Sequence, residues 1–114
     1  TIAQARTKSL ALTDLFIELV DQRLPGVFSL VTPREHARRG SQVSLAHDHG
    51  YGIVQALIER GVIGDFRAPN ICRFGFAPLY IRFVDVYEAV DHLVDVMTTG
   101  EYLDERFAVR NPVT

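Results

Sequence analysis

Between about Thr7 and Leu24 apolar residues return at three- and four-residue steps, Leu12, Leu15, Phe16, Leu19 and Val20, with Asp14, Glu18, Asp21 and Gln22 falling between them. That spacing gathers the apolar side chains on one stripe and predicts an amphipathic helix. Pro25-Gly26 ends it, because proline disfavours the helical conformation in the residue before it and glycine accepts the backbone angles of a chain leaving a helix. Val27 to Val31 then reads as a buried strand closed by Thr32-Pro33. After a charged stretch from Arg34 to Arg39, Gln42-Val43-Ser44-Leu45-Ala46 alternates polar and apolar with period two. Such alternation marks a strand with one face on a core, and the two strands are expected to pair as a hairpin.

Asp48-His49-Gly50 is turn chemistry, and Ile53, Val54, Ala56, Leu57 and Ile58 predict a short helix over 51–60 that ends at Gly61. Val62 to Phe66 and Ile71 to Phe76 predict a second hairpin around Ala68-Pro69-Asn70. A last helix over 84–98 carries Val86, Ala89, Val90, Leu93, Val94 and Met97 on one face, with Gly100 just past its end, and the tail 101–114 has no clear pattern. The order α-β-β-α-β-β-α predicts an α+β fold, a small antiparallel sheet of about four strands with helices packed on one face. No repeat, low-complexity tract or linker divides the chain, so residues 1–114 are expected to form one unit.

Composition narrows the function classes. Of 114 residues 47% are hydrophobic, enough for one core without disulfides or a structural metal, and the single cysteine, Cys72, excludes an internal disulfide and fits a reducing compartment such as the cytoplasm. A net charge of −2 gives no broad positive field, so nucleic acid is not an expected partner. The apolar runs are too short for a spanning helix, and no export signal opens the chain, so no membrane partner is expected either. The basic residues are arginines except for Lys8. The chain opens on Thr1 and runs directly into helical sequence, which is expected of a piece of a longer polypeptide.

Arg73 is the residue most in need of explanation. It interrupts an apolar strand between Cys72 and Phe74, and Gly75 leaves room for something to approach. A charge there needs a partner: either Asp65 or Asp85 within the domain, or an external carboxylate gripped by the guanidinium fork. Arg67 either acts with Arg73 or caps the hairpin in solvent. The Arg34, Arg38, Arg39 cluster reads as a solvated basic face, and His36 as an exposed loop histidine. His47, Asp48 and His49 read as turn and cap residues, since adjacent turn residues rarely converge on one ion, and no metal site is expected. Cys72 reads as a small buried side chain, Lys8 as a solvated lysine, and most of Phe74, Phe76, Tyr80 and Phe83 as core. These residues contain no complete set of nucleophile, base and oxyanion donors.

The segment from Gly61 to Tyr80 closely resembles the C-terminal region of the kynureninase family, as do Thr32 to Gln42 and Phe83-Val84-Asp85-Val86-Tyr87. The most specific block is Asp-x-Arg…Arg-x-x-x-x-Pro-Leu-Tyr, present as Asp65, Arg67, Arg73, Pro78, Leu79 and Tyr80. The resemblance implies the small domain of a fold-type-I pyridoxal-phosphate enzyme. Such an enzyme hydrolyses L-kynurenine or 3-hydroxykynurenine to the corresponding anthranilate and L-alanine, in tryptophan degradation. It further implies a homodimer whose active site lies between this domain and its own large domain, with the first helix leading to that domain. In the parent enzyme the cofactor would act as electron sink while an activated water attacks the γ-carbonyl.

The arginine matching Arg73 would bind the substrate α-carboxylate; Arg67 matches a family arginine with either a substrate-binding or a structural part. No residue here matches the Schiff-base lysine or the other cofactor-binding groups, Lys8 included, so no catalytic or cofactor-binding residue is expected in this chain and the chain alone should be inactive. Two rival readings are the small domain of a cysteine desulfurase or class V aminotransferase, and an independent α+β binding module. Without the large domain, the apolar side of the first helix is expected to be left exposed.

Overall fold

The computed structural model describes residues 1–108. The predicted α+β architecture is present: α1 (Ile2–Arg23), β1 (Ser29–Leu30), β2 (Gln42–Ala46), α2 (Gly50–Glu59), β3 (Asp65–Arg67), β4 (Ile71–Gly75), α3 (Phe83–Thr99) and a short α4 (Glu105–Ala108), with 3-10 turns at His36–Arg38 and Glu101–Leu103. The strands form one antiparallel sheet in the order β1-β2-β4-β3. Both expected strand pairs occur, and the central contact, β2 with β4, joins strands that are distant in sequence.

Alternation along the central strands fixes the two faces of the sheet. Val43 and Leu45 on β2 and Cys72 and Phe74 on β4 are buried beneath the helices, whereas Gln42, Ser44, Arg73 and Gly75 alternate with them and point to the opposite side. Phe16 of α1 ties the helical layer to the sheet, its ring 5.3 Å from that of Phe74 and 5.1 Å from that of Phe76. Leu12, Ile53, Leu57, Val86, Val90 and Leu93 fill the space between the helices. Gly100 closes α3 in the left-handed conformation at φ 75°, which a side chain would disfavour.

Several boundaries move from their sequence-based positions. Helix α1 starts at Ile2 because Thr1 caps it, accepting from the Gln4 backbone N–H at 3.1 Å. Strand β1 shrinks to Ser29–Leu30, since as an edge strand it pairs only with the Leu45–Ala46 end of β2. Part of the tail is structured: Phe107 is buried in the core, while the rest of the expected pattern-free tail, 109–114, lies outside the described residues. The apolar side of α1 is not exposed as expected. Leu12, Phe16, Leu19 and Val20 are buried within this chain, and the exposed apolar side chains include Leu79, Tyr80, Phe83, Val84 and Tyr87 instead. Tyr80 and Phe83 are therefore surface residues, a correction to the core reading that holds for Phe74 and Phe76.

Candidate functional site

The helix-free face of the sheet carries Asp65, Arg67 and Arg73. Antiparallel register places Asp65 of β3 directly opposite Arg73 of β4, with Ser44 of β2 opposite Arg73 on its other side. Arg67 lies two residues from Asp65 and therefore on the same face, opposite Ile71. The period-two pattern of β4 explains this placement: with Cys72 and Phe74 turned into the core, Arg73 must face outward.

Arg73 donates from Nη2 to Asp65 Oδ2, and the two side chains form an ion pair. Of the two internal partners that spacing allowed, Asp65 is the one used. Asp85 is engaged elsewhere, accepting from the Arg82 backbone N–H at 2.8 Å and from its guanidinium at 2.8 and 3.2 Å, contacts that hold its carboxyl below the usual range. The pair does not exhaust Arg73. Its Nε is buried without a hydrogen-bond partner, and its Nη1 has none among the described residues. The side chain is 26% exposed, with Asp65 at 56%. Beside it, a Cβ added at Gly75 would meet nothing within 4 Å, so the face is open where glycine stands. The Arg67 side chain is exposed, with no ion-pair or hydrogen-bond partner among the described residues. A cavity of about 540 Å³ between the 60–63 segment, the end of β4 and α3 is lined by Gly75 but not by Arg73.

The other candidates have structural roles. Arg39 is not part of a solvated cluster: its side chain is 1% exposed, and it donates to Asp14 Oδ1 at 2.7 Å, Thr13 Oγ1 at 3.1 Å and the Arg34 carbonyl at 2.6 Å. The reason is geometric, since the 34–39 segment folds back on α1, while Arg34 and Arg38 remain exposed as expected. His36, in the same segment, is exposed but paired with Asp14 at 2.7 Å. His47 accepts through Nδ1 from the His49 backbone N–H at 2.9 Å and packs against the rings of Phe28 and Tyr102. Burial, and secondarily the charge of His49, lower its pKa despite Asp48. Among the described residues no three His, Cys, Asp or Glu side chains converge as a metal site. Cys72 is fully buried, its thiol pushed up to about 12 by desolvation.

These residues do not fit a pyridoxal-phosphate site. Lys8 lies on α1 and lines a surface depression with Thr7, Ala11 and Phe83 on the helical side of the sheet, away from the face that carries Arg73. It is half-buried, not fully solvated as its polar sequence setting implied. The glycine-bearing start of α2 is no phosphate cradle, because Gly50 and Gly52 are packed against the carbonyl oxygens of Asn70 and Tyr102, which would repel an anion.

Sequence reasoning singled out Arg73 but missed Gly52. A Cβ there would lie 2.5 Å from the Tyr102 carbonyl oxygen, and no local pattern signals that contact between α2 and the turn after α3. It also missed the Arg60 junction, where Arg60 donates to Glu101 at 2.8 and 3.1 Å and to Asp95 at 2.5 Å, joining the end of α2 to α3 and the following turn.

Comparison with known proteins places this arrangement in a family. Residues 5–93 match the family model described as the kynureninase C-terminal domain. The chain is 55% identical over 114 residues to a kynureninase of Pseudomonas fluorescens, covering 99% of this chain and 27% of that protein. It is 57% identical over 110 residues to kynureninases of Burkholderia mallei and Burkholderia pseudomallei, covering 96% of this chain and 26% of each. The chain thus spans about a quarter of the length of these relatives.

Proposed function

This chain belongs to the kynureninase C-terminal domain family, and from that premise we propose that it is the small domain of an enzyme that hydrolyses L-kynurenine or 3-hydroxykynurenine to an anthranilate and L-alanine. Its contribution is to hold the substrate. Arg73 binds the α-carboxylate from the helix-free face of the sheet, and Arg67, on the same face, is a second and weaker contact. The observation that carries this reading is a partly exposed guanidinium on an open sheet face whose Nη1 has no partner among the described residues after its one internal ion pair. A guanidinium presents parallel N–H groups that match a carboxylate, so it fixes orientation as well as charge.

The bond-breaking chemistry belongs outside this domain, since its described residues do not build a pyridoxal-phosphate site; when bound by the remainder of the enzyme, that cofactor supplies an electron sink. Arg73 contributes by positioning. A carboxylate held on the sheet fixes one end of the substrate, and correct orientation is itself a large part of catalysis. The exposed apolar side chains beyond β4, among them Leu79 and Tyr80 at 82% and 81% exposure, suit burial against the large domain, to which α1 leads. The whole enzyme is a homodimer in the cytoplasm, and the chain alone is inactive. Among the described residues no helix is long and apolar enough to cross a membrane. Membership of the family sets aside the small domain of a sister enzyme, and an independent binding module has no observation of its own in its favour.

The test is Arg73→Gln in the full-length enzyme. Loss of a charged, bidentate contact predicts a fall of about a hundredfold in kcat/KM for L-kynurenine with cofactor absorbance retained. Unchanged kcat/KM would overturn the reading.

A further inference from the structure

Asp65 is the one described residue that holds the Arg73 guanidinium, and it does so from a fixed place. The two stand opposite each other in the β3–β4 register, where side chains on the same face are held at close range. The contact uses Nη2 alone, and among the described residues Nη1 has no partner and Nε is buried and unpaired. A long arginine side chain has many rotamers, and ordering it costs free energy at the moment of binding unless something has already fixed it. Asp65 supplies that restraint without occupying the whole fork.

We propose that Asp65 is a positioning residue, which pre-orients Arg73 on the open sheet face so that its free Nη1 end receives the substrate carboxylate. The inference rests on the carboxylate-binding reading of Arg73. Asp65 acts through Arg73 and touches no reacting atom. Two features favour this over a role in holding the fold together. Asp65 sits on the edge strand and is more than half exposed, so folding does not require its charge to be neutralised. Gly75, two residues along β4, leaves the adjoining surface bare, so a group approaching Arg73 meets no side chain there.

The experiment compares Asp65→Ala, Asp65→Asn, Arg73→Gln and the Asp65→Ala/Arg73→Gln double variant in the full-length enzyme, with kcat and KM for L-kynurenine. Asp65→Ala is expected to raise KM about tenfold with kcat within about twofold, and Asp65→Asn, which keeps an acceptor at the same place, to retain most of the wild-type KM. The double variant is expected to be no worse than Arg73→Gln alone, because Asp65 has nothing left to position. A purely structural role would make the two losses additive and overturn the proposal, as would a KM for Asp65→Ala that is unchanged or lowered, the latter identifying Asp65 as a competitor of the substrate. If Arg73→Gln leaves kcat/KM unchanged, the carboxylate-binding reading fails and this inference with it. If Arg73→Gln impairs the enzyme and Asp65→Ala does not, only this inference fails.

Discussion

The buried guanidinium of Arg39 donates to the Asp14 carboxylate at 2.7 Å, fastening the segment after β1 to the side of α1. His36 reaches the second oxygen of the same carboxylate, also at 2.7 Å. Removing Asp14 would leave a buried cation with only the Thr13 hydroxyl and the Arg34 carbonyl. Asp14 is 46% exposed, so water replaces part of the loss and the cost falls below that of breaking a fully buried pair. Asp14→Ala is expected to destabilise the fold by about 2 kcal/mol, read by urea denaturation. A change within about 0.5 kcal/mol would mean that Arg39 does not depend on Asp14.

The same carboxylate gives a pH signature. Burial works to raise the Asp14 pKa, but the hydrogen bonds and charges of Arg39 and His36 together outweigh it and hold the group below 3.8. A folded-state pKa below the unfolded value contributes stability that is fully present above the unfolded value and is lost as pH falls from there through the native one. Stability measured in acid should therefore decline below 3.8, and Asp14→Ala should decline less over the same range. Parallel acid limbs in the two proteins would contradict this assignment.

At Gly52 the backbone of α2 packs tightly against the turn after α3. Alanine in place of glycine favours a helix by about 1 kcal/mol. Here the added methyl group would meet the Tyr102 carbonyl oxygen at 2.5 Å, a backbone atom that cannot turn aside. The clash outweighs the propensity, and Gly52→Ala is expected to lose about 1–2 kcal/mol in thermal or urea denaturation. A stabilised variant would show that the turn gives way freely.

Cys72 is expected to be inert in the folded chain. Its side chain is fully buried against the Gly50 carbonyl, and its thiol is pushed up to about 12. At pH 8 only about one thiol in ten thousand is then ionised, before access is considered. A disulfide reagent should react at least about a hundredfold faster in urea than in native buffer. Equal rates would place Cys72 outside the core.

What the chain discloses by itself follows the range of the interactions involved. Elements β2, α2, β4 and α3 are legible because each carries its own period, and Arg73 stands out because it breaks one. The pairing of β2 with β4, the burial of Arg39 against Asp14 and the contact of Gly52 with Tyr102 join residues 25 or more positions apart, and no local pattern encodes them. Strand β1 is over-read for a related reason. Val27 and Phe28 are apolar enough for a strand and do pack against the core, but no neighbour offers them ladder partners. The sequence could present Arg73 with two candidate acids; only the register selects Asp65.

The role of Arg73 is tested by the preference of the full-length enzyme for an acid over its neutral counterpart. A kynurenine-like competitive inhibitor and its primary amide differ only at the group Arg73 is assigned to hold. The wild-type enzyme should bind the acid about a hundredfold more tightly, and Arg73→Gln should bring the two inhibition constants within about threefold of each other. A variant that keeps the wild-type preference would show that another residue receives the carboxylate.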